Sequence, residues 1–309
     1  MKSNKHDILI ITGATASGKT ELASQIAAML KSEVISADSR QVYRKMDIGT
    51  GKDYSDFIVE GTTVPFHLID IVDPGYKYNV YEYQRDFLEV YKDLSDRSIM
   101  PVVCGGSGMY IDSIVSGYRL IQVPPDPELR ELLKIKSLAE LQSMLASFKS
   151  LHNRSDTDNI KRAIRAIEIE EYYLKNPDID DSFPEIRSLI VGIKYDRESR
   201  RRRISERLKS RLEEGMIEEA KMILDSGISA DDLIYYGLEY KFLTLYLTGE
   251  ITYSEMFSGL ETAIHQFAKR QMTWFRSMEK KGIEIHWFDG YMPKDEKIDK
   301  ILRLIRLED

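Results

Sequence analysis

The sequence contains a single cysteine, Cys104, among 309 residues. One thiol cannot form an internal disulfide, so the composition is typical of a protein that works in a reducing, cytoplasmic setting. Long apolar runs are also missing, since none approaches the roughly 20 residues needed to cross a bilayer. The N-terminal residues MKSNKHD lead directly into a strand candidate, and we expect no secretory signal. These absences predict a cytoplasmic protein that has no membrane partner.

The chain also lacks an excess of basic residues, because its formal net charge is −7. This balance argues against a protein that coats nucleic acid along its whole surface. A local basic run exists, however: residues 200–211 hold seven Lys or Arg against one acid, Glu206. Such a run is usually a solvated helix face, and the alternative is contact with a polyanion.

Apolar segments alternate with amphipathic helical patterns in the first third of the chain. We expect strands at residues 6–13, 33–38, 65–72, 100–106, 188–196 and 283–289. We expect helices at residues 20–31, 80–98 and 107–117, a wholly helical stretch at 129–173, and long helices from the strand at 188–196 to about residue 281. Continuous apolar strands between helices predict an α/β fold in which a parallel sheet is covered by helices on both faces.

The segment GATASGKT follows the first apolar strand and precedes a helical pattern. It matches G-x-x-x-x-G-K-[ST] in full, the P-loop that binds phosphate groups. Gly13 and Gly18 permit turns that direct backbone N–H groups at one anion, and the following helix adds its positive end. Lys19 supplies a cation, and the Thr20 hydroxyl can bind Mg²⁺. The predicted phosphate-binding residues are Gly13, Ala14, Thr15, Ala16, Ser17, Gly18, Lys19 and Thr20.

The helical stretch is bounded by two breaks, a proline-rich segment at 123–128 and a polar segment at 176–186. The simplest interpretation is a P-loop NTPase-like core interrupted by a small helical insertion. The predicted organisation is a first core segment at 1–123, an insertion at 124–187, and a second core segment with C-terminal helices at 188–309.

Asp38 follows the second predicted strand, so a parallel sheet brings it to the same edge as the phosphate loop. A carboxylate there could bind a metal, act as a general base or cap a helix, and the residues alone do not choose among the three. Ser39, Arg40 and Gln41 add hydrogen-bonding groups suited to a base edge or a ribose.

Two glycine-rich or aromatic segments give weaker signals. GGSG, residues 105–108, places the Ser107 hydroxyl near the start of a predicted helix. A glycine-rich turn between a strand and a helix usually has no binding role. Cys104, just before it, is expected to be a small buried hydrophobe rather than a nucleophile. In HQFAKRQMTWFR, residues 265–276, basic and aromatic side chains alternate. The aromatics could be core, or the helix could pack on one side and face phosphate on the other.

Together these elements resemble the tRNA dimethylallyltransferase family, also called tRNA isopentenyltransferases. GATASGKT is similar to the family's GPTASGKT-like loop, and EVISADSRQVYRKMDIGTGK, residues 33–52, resembles its most diagnostic segment. Six further segments resemble family blocks: FHLIDIVDP, PVVCGGSGMYI, DNIKRAIRAIEI, GMIEEA, YYGLEYKFL and QFAKRQMTWFR. The resemblance covers almost the whole chain and extends to the order and spacing of the segments.

The resemblance implies transfer of a dimethylallyl group from dimethylallyl diphosphate to N6 of an adenine next to the tRNA anticodon. Lys19, the loop N–H groups and Mg²⁺ bound through Thr20 would then stabilise the leaving diphosphate. Asp38 would take the N6 proton or orient the amine, with Ser107 near the reacting centre. The target adenine would have to leave its stack to reach the site.

The resemblance also implies a set of tRNA-binding residues. They are Asp38, Ser39, Arg40, Gln41, Lys161, Arg162, Ala163, Ile164, Arg165, Lys269 and Arg270. Arg203 and Arg207, in the basic run, would face diphosphate or the RNA backbone. The expected partners are tRNA and dimethylallyl diphosphate, and the expected cofactor is Mg²⁺. We expect a monomer, because no long apolar stripe is left unassigned.

Four positions depart from the family pattern. Ala14 replaces the loop proline, Ser107 replaces the threonine of GGTG, and His265 replaces the usual arginine before QxAKRQ. Ser107 keeps the hydroxyl but lacks the methyl group that restricts the rotamer, and His265 replaces a permanent cation with a group whose charge depends on pH. Gly51 follows GT in the diagnostic segment. The insertion is also short.

Three other functions are compatible with parts of the sequence. The chain could be a small-molecule kinase that uses ATP, although nothing beyond the loop requires a triphosphate. It could prenylate free adenine nucleotides, although the helical insertion and residues 265–276 favour RNA. It could bind tRNA without catalysis, although retention of Lys19, Thr20 and Asp38 favours an enzyme.

Overall fold

The computed structural model describes residues 5–148, 158–179 and 182–306. The chain divides into two compact units. The first comprises Met1–Tyr118 and Pro184–Asp309 and contains the sheet, and the second, Arg119–Phe183, consists of helices and their connections in its described residues. The second unit overlaps the insertion predicted for residues 124–187.

Six parallel strands form the sheet of the first unit. The strands of the chain are β1 (Ile8–Gly13), β2 (Val34–Ser36), β3 (Ile58–Val59), β4 (Thr62–Thr63), β5 (Phe66–His67), β6 (Val102–Gly105), β7 (Ser188–Lys194) and β8 (His286–Asp289). The order in the sheet is β5-β2-β6-β1-β7-β8, and β3 and β4 form a separate antiparallel hairpin. Every pairing within the six-stranded sheet is parallel, which confirms the predicted fold class.

The helices flank this sheet or build the second unit. Those of the first unit are α1 (Lys19–Leu30), α2 (Val80–Asp96), α3 (Gly108–Val115), α7 (Arg197–Glu213), α8 (Met216–Asp225), α9 (Ala230–Tyr235), α10 (Leu238–Leu247), α11 (Tyr253–Lys280) and α12 (Lys294–Arg306). Those of the second unit are α4 (Pro127–Lys134), α5 (Leu138–Phe148) and α6 (Ile160–Lys175). None of the helices in the described ranges has the length and apolar character needed to span a membrane.

The central strand β1 is buried on both faces, which explains its unbroken apolar sequence. Leu9 and Ile11 belong to a core that also contains Leu22 of α1 and side chains of α12. Ile8 and Ile10 point to the opposite face, because side chains alternate along a strand, and they too are fully buried. With both faces covered, the ends of the strands are the part of the sheet left for a ligand.

One predicted strand is much shorter in the structure. The sequence predicts a strand at 65–72, but β5 covers only Phe66–His67. Leu68 and Asp70 have φ angles of 60° and 56°, a left-handed conformation that cannot continue a strand. The prediction was wrong for residues 68–72, because an apolar pattern does not reveal the handedness of the backbone.

The second unit has its own small core. Leu133, Leu141, Leu145 and Ile167 pack together from its three helices. The burial of these side chains on facing helices holds the unit together independently of the sheet.

Candidate active site

The carboxyl ends of β1, β2 and β6 border one cavity of about 660 Å³ in the first unit. This is the edge of the sheet at which open α/β folds bind ligands. The predicted site residues that line the cavity are Thr15, Ala16, Ser17, Gly18, Lys19, Thr20, Asp38, Ser39, Arg40, Gln41, Ser107, Arg203, Arg207 and Arg270. The structure therefore brings together residues from five separate parts of the sequence.

The phosphate loop has the backbone that its glycines predict. Gly13 packs so closely on β7 that a Cβ there would lie 2.7 Å from the carbonyl oxygen of Ile193. Gly18 caps α1 with a φ of 77°, a left-handed conformation that glycine adopts without steric cost. Since the first N–H groups of a helix have no partner within it, the start of α1 offers donors to an anion.

Two side chains from distant helices hold this loop in place. The Thr15 N–H donates to Oε1 of Gln271 at 2.9 Å, and Nε2 of Gln271 donates to the Gly106 carbonyl at 2.9 Å. Nε of Arg203 donates to the Ala16 carbonyl at 2.9 Å. Gln271 was not among the predicted site residues. The feature that marks Gln271 as a site candidate is its position: it is a polar side chain buried on the face of α11 that packs against the core.

Lys19 and Cys104 line the cavity, and Asp38 lies near Lys19. Burial lowers the pKa of the Lys19 ammonium, and the nearby Asp38 carboxylate acts in the opposite direction. A bound anion would add a second partner that favours the charged lysine. Burial raises the pKa of the Cys104 thiol to about 11, so the thiol is protonated at neutral pH. Cys104 is thus a small buried side chain, as the sequence predicts.

Asp38 and Ser107 belong to one hydrogen-bonded turn. Oδ1 of Asp38 accepts the Arg40 N–H at 2.9 Å, and Oγ of Ser107 accepts the Ser39 N–H at 2.9 Å. The Ser107 N–H in turn donates to the Ala37 carbonyl at 3.2 Å. Oδ2 of Asp38 makes no hydrogen bond to the described residues, which leaves it for a ligand.

Gln41 and Arg40 differ in the contacts that they make within the protein. Nε2 of Gln41 donates to the Gly51 carbonyl at 3.0 Å, and its Oε1 accepts from Ser36 at 3.1 Å. The Gln41 amide is therefore a strut between β2 and the loop at residue 51. Arg40 extends along the Tyr235 ring, with Cζ 5.9 Å from the ring centroid.

One face of α7 lines the cavity with arginines at four-residue spacing. Arg203, Arg207 and Arg211 all reach it, whereas Arg201 and Arg202 are exposed to solvent. The basic run thus has a solvated face and a face that lines the cavity, and contact of the second face with a polyanion stays a prediction. Arg211 was not among the predicted site residues, although the spacing of Arg203 and Arg207 points to it.

The basic residues of α11 are divided in the same way. Arg270 lines the cavity and lies over the Phe267 ring, with Cζ 5.9 Å from the centroid. Lys269 is exposed and stands outside the lining residues. His265, which replaces the family's arginine, has Nε2 3.3 Å from the Arg201 carbonyl. It therefore contacts α7, the helix that carries the cavity arginines.

The predicted tRNA-binding residues of α6 belong to the second unit. Ala163 and Ile164 are buried in its core, so their side chains are not available to RNA. Arg165 is paired with Glu168 and donates to the Val123 carbonyl at 2.7 Å. Of the five, Lys161 and Arg162 are the exposed side chains.

The loop at residues 47–51 is held by the buried carboxylate of Glu219, which was not among the predicted site residues. Glu219 of α8 accepts the N–H groups of Asp47 and Ile48 on Oε2, at 2.8 and 2.7 Å. Its Oε1 accepts the Gly49 N–H at 2.9 Å and the Tyr240 hydroxyl at 2.7 Å. Residues 49–51 of this loop line the cavity.

The residues around Thr20 fit a magnesium ion that a ligand helps to bind. In the described ranges, no group of three or more His, Cys, Asp or Glu is arranged to hold a metal by itself. Magnesium commonly keeps several waters and takes only one or two protein ligands together with substrate phosphates. The Thr20 hydroxyl and the carboxylates of Asp38 and Asp56, which line the same cavity, match that chemistry.

The parallel sheet, the loop at the end of β1 and the facing carboxylate define a P-loop protein of the α/β class. Comparisons with known proteins narrow the class. The family model described as IPP transferase matches residues 41–278, and the one described as isopentenyl transferase matches residues 6–67. The chain therefore belongs to the IPP transferase family, the tRNA dimethylallyltransferases, which confirms the resemblance drawn from its motifs.

Individual relatives agree over nearly the whole chain. The chain is 58% identical over 301 residues to tRNA dimethylallyltransferase 2 of Bacteroides fragilis, covering 97% of this chain and 98% of that one. It is 58% identical over 306 residues to tRNA dimethylallyltransferase 1 of Parabacteroides distasonis, covering 99% of each.

Solved structures share the fold. The crystal structure of the full-length tRNA isopentenylpyrophosphate transferase from Bacillus halodurans superposes with a TM-score of 0.71 at 32% identity, covering 97% of this chain and 95% of that one. A eukaryotic dimethylallyltransferase solved while acting on tRNA gives a TM-score of 0.79 at 18% identity, with 98% of this chain and 80% of that one covered. At that identity the second likeness concerns the fold alone.

Proposed function

We propose that this chain transfers the dimethylallyl group of dimethylallyl diphosphate to N6 of the adenosine next to the anticodon of tRNA, position 37. The products are N6-dimethylallyladenosine in tRNA and free diphosphate. One observation carries the proposal: the phosphate loop and Asp38 line the same cavity. They follow β1 and β2, the two strands on either side of β6 in one sheet. That arrangement offers a site for a leaving anion beside a site for a proton.

The phosphate loop would bind the leaving group. As the C1–O bond of the donor breaks, its electron pair departs with the diphosphate, and negative charge accumulates on the phosphate oxygens. The N–H groups at the start of α1 and the Lys19 ammonium can stabilise that charge. Lys19 is desolvated in the cavity, and a cation in a water-poor site interacts more strongly with an anion than one in water.

Asp38 would act on the attacking amine. The N6 lone pair forms the new bond to C1 of the donor, and an N6 proton must leave. Oδ1 of Asp38 is fixed by the Arg40 N–H, so Oδ2 is the oxygen that can accept this proton or orient the amine. The exocyclic amine of adenine is a weak nucleophile, so fixing its position should contribute as much as basicity.

Mg²⁺ is the cofactor that we propose, bound through the Thr20 hydroxyl together with donor phosphates. When bound, the ion supplies positive charge to the leaving diphosphate. Thr20 would hold it in place, and the carboxylates of Asp38 and Asp56 lie in the same cavity to bind its water ligands.

The RNA would approach with its target base extruded, since a stacked adenine cannot enter a cavity of this size. Arg40 and Arg270 line the cavity and suit the base or its flanking phosphates. Lys269, Lys161 and Arg162 are exposed cations that suit the RNA backbone. We propose that Ser39 and Gln41 act with them through the geometry of the loops that they hold.

The proposed substrate bears on cellular location: because the reaction acts on tRNA, we propose a cytoplasmic enzyme. We also propose that it works as a monomer, since no long apolar stripe of the sequence is left unassigned. Light scattering of the purified protein should give a mass near 35.8 kDa, and a mass of twice that value would contradict the monomer.

The test is a transfer assay with defined substrates. Purified protein, tRNA lacking the modification and dimethylallyl diphosphate are incubated with Mg²⁺, and the tRNA nucleosides are analysed by mass. We expect N6-dimethylallyladenosine to form, and its formation to stop when EDTA is added. Phosphoryl transfer from labelled ATP without prenyl transfer would favour a kinase instead. Equal turnover on free AMP and on tRNA would favour the nucleotide-specific enzyme.

A further inference from the structure

Three arginines of α7 line the cavity, and they differ in their hydrogen-bond partners. Nε of Arg203 donates to the Ala16 carbonyl at 2.9 Å, and Nη2 of Arg207 donates to Oδ2 of Asp53 at 2.7 Å. Nη2 of Arg211 lies 3.6 Å from that same Asp53 oxygen and has no hydrogen-bond acceptor among the described residues. The Arg211 side chain is nonetheless only 11% exposed.

Gly51 provides the space for the Arg211 guanidinium. A Cβ at residue 51 would lie 2.8 Å from Cζ of Arg211 and closer still to its Nη2. Gly51 also has a φ of 72°, which other residues adopt only with strain. A larger residue at position 51 would therefore displace Arg211. Gly51 is one of the four departures from the family pattern, and this packing gives that departure a physical reason.

The two neighbouring guanidinium groups carry two positive charges, and their ion pairs join both to one carboxylate, that of Asp53. The Glu239 carboxylate also lies near Arg211 and lines the same cavity and cleft, but burial raises the pKa of Glu239, which favours its neutral form. A buried donor without an acceptor is unfavourable unless a ligand supplies one. Burial and the neighbouring Arg207 lower the pKa of Arg211 to about 10, so the group is still charged at neutral pH. The oxygens of a phosphate match the fork of a guanidinium.

The surroundings of Arg211 indicate which phosphate it would bind. Arg207 and Arg211 border a small cleft beside the main cavity, together with Thr15 and Ala16 of the phosphate loop. Arg211 therefore shares both the cleft and the main cavity with residues of the loop that would hold the anion. The same chemistry would suit a phosphate of the RNA backbone, and the KM values of the Arg211 variant distinguish the two.

We propose that Arg211 is a further binding residue for the diphosphate of the isoprenoid donor, seated in the space that Gly51 leaves open. This inference rests on the proposed function for the identity of the donor. Its geometry, with a buried guanidinium whose Nη2 lacks a hydrogen-bond acceptor and which shares a cleft with residues of the phosphate loop, depends only on the described contacts.

The first measurement is the affinity for inorganic pyrophosphate with Mg²⁺, by calorimetry on the full-length protein. For Arg211→Met we expect the Kd to rise about tenfold, the loss expected for one charge-assisted hydrogen bond. Arg303→Met is the matched control, because Arg303 is exposed on α12 and stands outside the cavity lining. The control should bind pyrophosphate like the unmodified protein.

Gly51→Ala supplies a second, independent test. Its Cβ would lie closest to the Arg211 guanidinium and 2.8 Å from Nη2 of Arg207, so it should displace the ends of both flexible side chains, Arg211 the most. We expect weaker pyrophosphate binding in the otherwise unmodified protein, and a combined loss smaller than the sum of the two single losses when Gly51→Ala is added to Arg211→Met. This non-additivity is the signature of two residues that act through one contact. Simple additivity of the two losses would contradict the proposed pairing.

The kinetic arms separate the two possible phosphates. In transfer assays on Arg211→Met, we expect the KM for dimethylallyl diphosphate to rise about tenfold and the KM for tRNA to stay unchanged. A raised KM for tRNA alone would assign Arg211 to the RNA and overturn the proposal, as would unchanged pyrophosphate binding. Should Arg211→Met fail to fold, Arg211→Lys, which keeps the charge but loses the fork, takes its place with a smaller expected loss.

The calorimetry also distinguishes failure of this inference from failure of the proposed function. Prenyl transfer to tRNA by the unmodified protein tests the function, whereas pyrophosphate binding by the variants tests Arg211. If pyrophosphate binding depends on Arg211 but the protein does not transfer prenyl groups, the anion site is supported and only the proposed donor is wrong.

Discussion

At the scale of single residues, the site depends on side chains that fix backbone as much as on those that meet a substrate. Ser107 shows the difference. The sequence predicts a hydroxyl near the reacting centre, and the structure uses that hydroxyl to accept the Ser39 N–H. Its effect on Asp38 is therefore transmitted through the turn at residues 38–40. The serine can replace the family's threonine here because the contact needs the oxygen and not the methyl group.

The Asp38 carboxylate gives the most direct residue-scale prediction. Asp38→Asn keeps an oxygen for the Arg40 N–H but cannot accept the N6 proton. We expect kcat to fall by roughly 10²–10⁴-fold, the range for loss of a general base. Single-turnover transfer assays measure the effect. An unchanged kcat would remove the carboxylate from the chemistry.

Asp56 gives a prediction about stability and pH. Burial raises its pKa to about 6, with Asp53 and Glu21 adding to the effect. The folded pKa is then above the unfolded value of 3.8, so the folded state binds more protons between these values and loses stability as pH rises through them. Asp56→Asn removes this loss.

We therefore expect Asp56→Asn to raise the free energy of unfolding at pH 7 and to leave it unchanged below pH 4. Urea denaturation at both pH values measures the effect. Asp299→Asn is the control, since Asp299 is an exposed carboxylate on α12. An equal gain for Asp56→Asn at the two pH values would show that its burial costs nothing through ionisation.

At the scale of secondary-structure elements, the sequence predicted what local pattern determines. The phosphate loop, α1 and the apolar strands β1, β6 and β7 follow from motif and periodicity. Gln271 and Glu219 could not be predicted, because each contacts a loop more than 150 residues away in sequence. Local pattern carries no record of such contacts. The strand predicted at 65–72 failed for a related reason, since positive φ angles are not visible in an apolar run.

Glu219 gives the element-scale prediction, because it ties α8 and α10 to the loop at residues 47–49. Its carboxylate accepts four hydrogen bonds in a buried position. In Glu219→Gln, the amide NH₂ would face N–H donors and leave them unsatisfied. We expect the free energy of unfolding to fall by about 1–3 kcal/mol, measured by urea denaturation.

A matched series separates the loop contacts from the helix contact. Glu218→Gln, at the exposed neighbouring position of α8, should leave stability unchanged. Tyr240→Phe removes one of the four donors and should cost about 1 kcal/mol. A loss for Glu219→Gln no larger than that for Tyr240→Phe would mean that the three N–H contacts of the loop contribute little.

At the scale of the whole molecule, the chain forms two compact units, and the second has its own core. The cavity residues all belong to the first unit. The sequence predicts an insertion at residues 124–187 from the breaks around it and from its lack of strand candidates, which is information about composition. Its role cannot be read in the same way, because the resemblance assigned five consecutive residues of α6 to tRNA and two of them, Ala163 and Ile164, are core.

This division predicts that the second unit affects RNA and leaves the donor unaffected. Lys161 is exposed on α6, and charge reversal would replace attraction to RNA phosphate with repulsion. For Lys161→Glu we expect the KM for tRNA to rise severalfold, with the increase shrinking as salt is added, because phosphate contacts are screened and release counterions. The KM for dimethylallyl diphosphate should stay constant, since the proposed donor site lies in the first unit. Arg303→Glu, a charge reversal on α12, is the control for net charge. A change in the KM for the donor, or an equal effect of the control, would show that the charge at residue 161 acts on the molecule as a whole and not at an RNA contact.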